Sequence, residues 1–191
     1  MLFGLHEILD LAIMTALIGW LFKDAFVPRV PDDVLKLATR SNMSGFKQAA
    51  IAVAPAIIIH DLTHKFIAMS FGLNATFHAF YASTSTLILG ILAIVAKLTG
   101  WGFVFLVPGY VSIQMGATQL QSAIIAFGGP AIHLIFWLGA SLAMRRGMFK
   151  EHPQILAATS SINKFLFILN MLPIPGIDGW WVYSGLYHAF L

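Results

Sequence analysis

The chain has no cysteine, which excludes disulfides and thiolate metal sites and removes any indication of redox compartment. Charge is scarce as well: 10% of residues are Asp, Glu, Lys or Arg, against about a quarter in an ordinary soluble domain. The basic residues are scattered and the net charge is only +3, so there is no basic stripe for a nucleic-acid partner. They read as interfacial anchors instead. The first residues include Glu7 and Asp10 rather than a positive cluster, and no small-residue cleavage site follows, so a signal peptide is not expected. Internal repeats and low-complexity tracts are also missing. What is present is apolar: 59% of 191 residues are hydrophobic. This composition predicts one membrane-embedded domain over 1–191, all-α and polytopic, an integral multi-pass protein of the cell membrane with the lipid bilayer as its solvent.

Five hydrophobic blocks are visible, predicting about five transmembrane helices. The first, roughly 8–27, is interrupted by Asp10, Lys23 and Asp24 and reads as a marginal span or a tilted, partly interfacial helix. A polar connector with Pro28, Pro31, Asp32 and Asp33 follows, so 1–45 reads as an N-terminal helix and linker. The second block, 49–72, is long enough to span, with a kink expected at Pro55. The third starts near Phe77, and the stretch 77–111 reads as one span, a hairpin or a re-entrant pair. The fourth covers Ser122 to Met144 and ends in a basic turn from Arg145 to Lys150. The fifth begins near Ile162 and is broken at 170–179. Irregular backbone at membrane depth is tolerated only where protein or a water-filled cavity receives it, so a break beside an acidic residue points to a site.

The second block contains His60-Asp61-Leu62-Thr63-His64. Four residues apart on a helix, the two imidazoles share one face and can chelate one ion. Two neutral imidazoles and a carboxylate suit zinc, with a fourth position left for water. Asp61 stands where HExxH metalloproteases carry the Glu that takes a proton from water. It reads as that base or as a carboxylate supporting a histidine ligand. For a third ligand, Asp178 is the one acid in a broken hydrophobic block, beside Gly179, where the backbone is free to aim it inward. Glu7 and Asp10 lie in the weakest block, and Asp32, Asp33 and Glu151 lie in polar connectors.

Together these features resemble the site-2 protease family of intramembrane zinc metalloproteases, with its HExxH motif on one helix and an NxxPxPxxDG motif on a later one. The counterparts here are His60 to His64 and Asn170 to Gly179. Between them, Pro108-Gly109-Tyr110-Val111 is similar to the family's Gly-rich segment, and Gly128-Gly129-Pro130 to its Gly-Pro motif. The resemblance covers about 46–185, the protease-like core. It implies Zn2+ held by His60, His64 and Asp178, with Asp61 as general base. It places Asn170 near the metal, orienting substrate or stabilising the oxyanion, or serving as a plain helix polar residue. It implies hydrolysis of peptide bonds in a transmembrane-helix protein substrate, whose helix must unwind locally before a carbonyl is free to react.

Two residues depart from the pattern. Asp61 replaces Glu and is shorter by one methylene, about 1.5 Å of reach, so a catalytically weak or inactive member that binds metal and helical membrane partners is the alternative. His133 stands where the family commonly has Asn, and reads as a hydrogen-bond partner of a neighbouring helix or as a group approaching the active-site water. His6, His78, His152 and His188 show no pattern and read as interfacial. A carrier of metal ions or protons would spread polar residues along a path, and a histidine-box oxidase would need several His-rich clusters; neither is seen. Orientation stays open. The basic residues at 29–47 and 145–150 share one side if 77–111 returns to its start, and the positive-inside rule would make that side cytoplasmic. The family's usual arrangement puts the segment after the first motif there.

Overall fold

The computed structural model describes residues 3–26, 42–100, 109–148 and 153–191. Outside the described residues lie the polar connector up to Ser41, the stretch from Trp101 to Pro108, and Lys150, Glu151 and His152.

Helix α1 (Leu5–Phe22) runs into a 3-10 turn at Lys23–Phe26. Its buried residues Glu7, Asp10, Met14, Ile18 and Leu21 recur every three or four positions, so they form one face. Two of the charges that interrupt this block in sequence, Asp10 and Asp24, have partners. Asp10 accepts the Tyr81 hydroxyl, and Asp24 pairs with Lys97 at 2.6 Å. Lys97 also donates to the Leu21 carbonyl, closing the end of α1, at 2.7 Å.

Helices α2 (Asn42–Ala52) and α3 (Ala54–Ser70) form one apolar run, interrupted at Val53. Pro55 sits in the first turn of α3 and brings no N–H to the ladder. Backbone bonds from Val53 to the Ala49 carbonyl at 2.9 Å and from Ile57 to the Val53 carbonyl at 3.3 Å carry the chain across the break. The kink expected at Pro55 is therefore a one-residue interruption just before it.

The stretch from Phe77 differs from the all-α expectation. Strand β1 (Ala75–His78) pairs antiparallel with β2 (Tyr110–Ile113), Phe77 opposite Val111 and His78 opposite Tyr110. Phe77 is fully buried and ties the sheet to the core. A 3-10 turn at Phe80–Ala82 leads to α4 (Thr84–Leu98), whose Ser83 cap accepts the Thr86 N–H at 3.3 Å. Two short strands satisfy one another's backbone, a local solution where the chain leaves a helix. Apolar content does not distinguish it from a helix end.

Helix α5 (Gln119–Arg145) opens with a reciprocal cap between Thr118 and Gln121 and contains Pro130. It packs against α3, α6 (Pro153–Asn170) and α7 (Asp178–Phe190). Helix α6 thus begins nine residues before the fifth block as read from hydropathy, because Thr159, Ser160 and Asn163 turn inward and lower its apparent apolarity.

The core joins Met14 and Ile18 of α1, Ala49 and Ala52 of α2, Ile57 of α3 and Phe77 of β1. Among the described residues, three helical stretches are long and apolar enough to cross a membrane: Leu5–Phe22, Gly45–Ser70 and Gln119–Arg145. Helix α4, at 15 residues, is shorter than the ~20 needed for an upright span. Its Ile88, Ile91, Leu92, Val95 and Leu98 are exposed along one stripe.

Candidate metal centre

His60 and His64 project from successive turns of α3, and Asp178 is the first residue of α7. Three features of the chain where α6 passes to α7 aim that carboxylate. The chain stops being helical after Asn170, before Pro173 and Pro175. Gly176 takes a φ of +91°, a conformation that L side chains rarely adopt. Gly179 lies against the end of α6, where an added Cβ would stand 2.6 Å from the Met171 carbonyl carbon. The Asp-Gly pair is therefore a packing requirement as much as a ligand signature.

The three side chains converge. Asp178 Oδ2 lies 3.2 Å from His60 Nε2 and 3.5 Å from His64 Nε2, and the two Nε2 atoms are 3.2 Å apart. Tetrahedral zinc with bonds of about 2.0–2.1 Å separates its ligand atoms by roughly 3.3 Å, so the donor set fits such an ion. The tautomer fits too. His64 Nδ1–H donates to the Ile125 carbonyl at 2.7 Å, which leaves Nε2 unprotonated and facing the other donors. His60 Nδ1 is buried with no hydrogen-bond partner among the described residues, and its ring rests on His133 instead, centroids 4.7 Å apart.

Room for both rings comes from α5. A Cβ on Gly129 would stand 2.5 Å from His60 Cε1 and would also collide with His64 Nε2. Gly128 performs the same service toward Thr63 and Ile67, so the Gly-Gly pair lets α3 and α5 approach closely.

Asp61 is buried beside the cluster, its Oδ1 3.9 Å from His60 Nε2. That separation is too long for a direct hydrogen bond. On its far side stands Gly109, where a Cβ would lie 2.8 Å from Asp61 Oδ2. Gly109 thus packs its backbone against the motif carboxylate. His60, Asp61, His64, Asn170 and Asp178 line one cavity of about 800 Å³ that also receives His133 and Trp181.

Two sets of residues were not singled out in sequence. Lys65, directly after the second histidine, is buried and paired with Glu7 at 2.5 Å, and Glu7 Oε1 also accepts the Phe77 N–H at 2.8 Å. Opposite charges in two separate apolar blocks were the available signal. Asn163, fully buried, accepts from His133 Nδ1 at 2.8 Å. This is the contact with a neighbouring helix expected of His133.

No family model matches the chain, and no solved structure matches it. A protein of Methanocaldococcus jannaschii named "putative zinc metalloprotease" is 31% identical over 188 residues, covering 93% of this chain and 83% of its own. The chain therefore belongs to the zinc metalloprotease family.

Proposed function

We propose that the protein is an intramembrane zinc metalloendopeptidase of the site-2 type, cutting peptide bonds within transmembrane segments of other membrane proteins. The observation that carries this reading is the convergence of His60, His64 and Asp178 on one cavity, with the Asp61 carboxylate beside them, in a helix apolar enough to cross a membrane. Three spanning-length helices and the exposed apolar stripe of α4 support a multi-pass protein with its site below the membrane surface. About five crossings result if α6 and α4 with its flanking strands also enter the bilayer.

His60, His64 and Asp178 would hold the metal. When bound, zinc supplies Lewis acidity: it lowers the pKa of water toward ~7 and polarises the scissile carbonyl. Asp61 accepts the proton of the attacking water and returns it to the leaving nitrogen. Asn170, at the end of α6 on the same cavity, orients the substrate backbone or donates to the developing oxyanion. The substrate is a locally unwound transmembrane helix, since a helical carbonyl is occupied by its own hydrogen bond.

A second reading, a metal-binding member that does not cleave, is favoured by the shorter arm of Asp61. The test is cleavage of a model transmembrane substrate by purified protein, with bound zinc measured on the same sample. Cleavage by the wild type that disappears in His60→Ala supports the protease. Stoichiometric zinc with no cleavage across several substrates supports the second reading.

A further inference from the structure

His133 belongs to neither motif, yet it is 2% exposed, lines the cavity and packs its ring against His60. The tautomer of its ring is readable from the groups behind it. Asn163 Nδ2 donates to the Thr159 carbonyl at 2.8 Å, and a carbonyl only accepts, so the amide nitrogen is assigned to that side. Asn163 Oδ1 therefore faces His133 Nδ1 at 2.8 Å and requires a proton there. The neutral ring is left with Nε2 as an acceptor. The carbonyl of Thr159 thus sets, through Asn163, the hydrogen-bonding character of a third imidazole at the site.

An acceptor has few uses here. His133 is not one of the converging donor atoms, which among the described residues are those of His60, His64 and Asp178. An unprotonated nitrogen also has no hydrogen to give an oxyanion. It can receive one O–H of a water or an N–H of a peptide. The attacking water has two hydrogens, and the Asp61 carboxylate, as general base, takes one.

We propose that His133 is a further residue of the reaction site, held by Asn163 in the Nδ1-protonated form so that Nε2 accepts the second hydrogen of the attacking water. With two acceptors, the water is oriented from both sides, and the shorter reach of Asp61 is compensated by a fixed water rather than a longer arm. The inference rests on the protease reading, and its test has a readout independent of cleavage.

The experiment compares His133→Phe and His133→Gln in the full-length protein loaded with cobalt(II), reading metal content, the visible absorption spectrum and cleavage. Phe keeps an aromatic ring against His60 and removes the acceptor. Gln loses the ring and carries an amide oxygen in its place. If His133 accepts from the water, both variants bind cobalt stoichiometrically. His133→Phe then changes the visible spectrum and lowers kcat at least ~10-fold with KM unchanged, while His133→Gln retains the wild-type spectrum and recovers most of the rate. Asn163→Leu, which leaves His133 in place but releases its tautomer, falls between them. The opposite order, with Phe close to wild type and Gln impaired, means that His133 acts only by packing on His60 and overturns the proposal. Loss of cobalt from both variants, or spectra unchanged in both, overturns it as well. If the wild type cleaves nothing, the protease reading fails by itself, and the two cobalt spectra still decide the role of His133.

Discussion

Glu7 of the first helix and Lys65, which follows the second motif histidine, form a buried ion pair at 2.5 Å. Glu7 Oε1 holds the Phe77 N–H at 2.8 Å, and Oε2 accepts the Gly4 N–H at 2.9 Å. One carboxylate thereby joins α1, the metal-motif helix and the sheet. Removing one member of a buried pair leaves the other charge uncompensated, at a cost of about 3 kcal/mol or more, whereas replacing both is far milder. Lys65→Met is expected to lower the midpoint of thermal unfolding in detergent sharply, and the Glu7→Gln, Lys65→Met double variant to recover most of the loss. An additive double variant would show that the pair is not coupled.

Gly129→Ala is expected to weaken zinc binding at least ~10-fold without unfolding the protein. In a helix this change ordinarily gains up to about 1 kcal/mol. Here the new methyl would stand 2.5 Å from His60 Cε1, and forced overpacking of this kind costs about 1–3 kcal/mol, so the clash decides the sign. Competition against a chelator of known affinity measures the effect, with helical circular dichroism as the control for folding.

Asp61→Asn is expected to keep its zinc and lose at least ~100-fold in kcat, because the amide cannot take a proton. Asp61→Glu is the sharper case. If reach alone limited the enzyme, Glu would accelerate it. Gly109 leaves little room beyond Oδ2, so the longer side chain has to bend aside, and a misplacement of about 1 Å costs about a hundredfold. A fall in kcat/KM is therefore the expected result, and a rise would mean that Gly109 yields readily.

Asp178→Ala is expected to abolish stoichiometric zinc binding, since two imidazoles remain where three donors are needed. Metal analysis after dialysis reads this directly. Asn170→Ala, by contrast, keeps its zinc and lowers the cleavage rate alone if Asn170 serves the substrate. Loss of zinc from that variant would assign Asn170 to the metal instead.

Tyr81 offers a pH dependence outside the spanning helices. Its hydroxyl donates to Asp10, and this hydrogen bond, with burial and the carboxylate charge adding to it, raises the phenol above its ordinary 10.0. A group raised in the folded state contributes stability that is complete below its unfolded value and is lost as pH climbs through the folded one. The wild type should thus lose a small stability advantage over Tyr81→Phe only above about pH 10. Thermal unfolding of both proteins from pH 8 to 11 tests this, and a difference that vanished near neutral pH would assign the contact to another group.

Much of the site was legible because its elements are local. The spacing of His60 and His64 places two rings on one helix face whatever the rest of the chain does. Pro173, Pro175 and Gly176 end a helix wherever they occur, so the break before Asp178 is written in the residues themselves. The sheet was less legible, because Phe77 and Val111 are as apolar in a strand as in a helix and their pairing spans more than thirty residues. The charges of the first helix were less legible for a related reason. Asp10 and Asp24 look like flaws until Tyr81 and Lys97 are brought to them.

The sequence by itself determined which side chains can bind metal, where the helix carrying two of them runs, and that a glycine-flanked acid interrupts a later apolar block. Periodicity and backbone restriction act within a few residues, and that range suffices for each of these. The tertiary structure alone decided that Asp178 meets both histidines at 3.2 and 3.5 Å, that Gly129 clears the space for their rings, and that Gly109 backs Asp61. It alone decided that Thr159 and Asn163 set the tautomer of His133. These relationships depend on how closely helices cross, which is governed by the small residues and buried polar pairs of separate segments acting together.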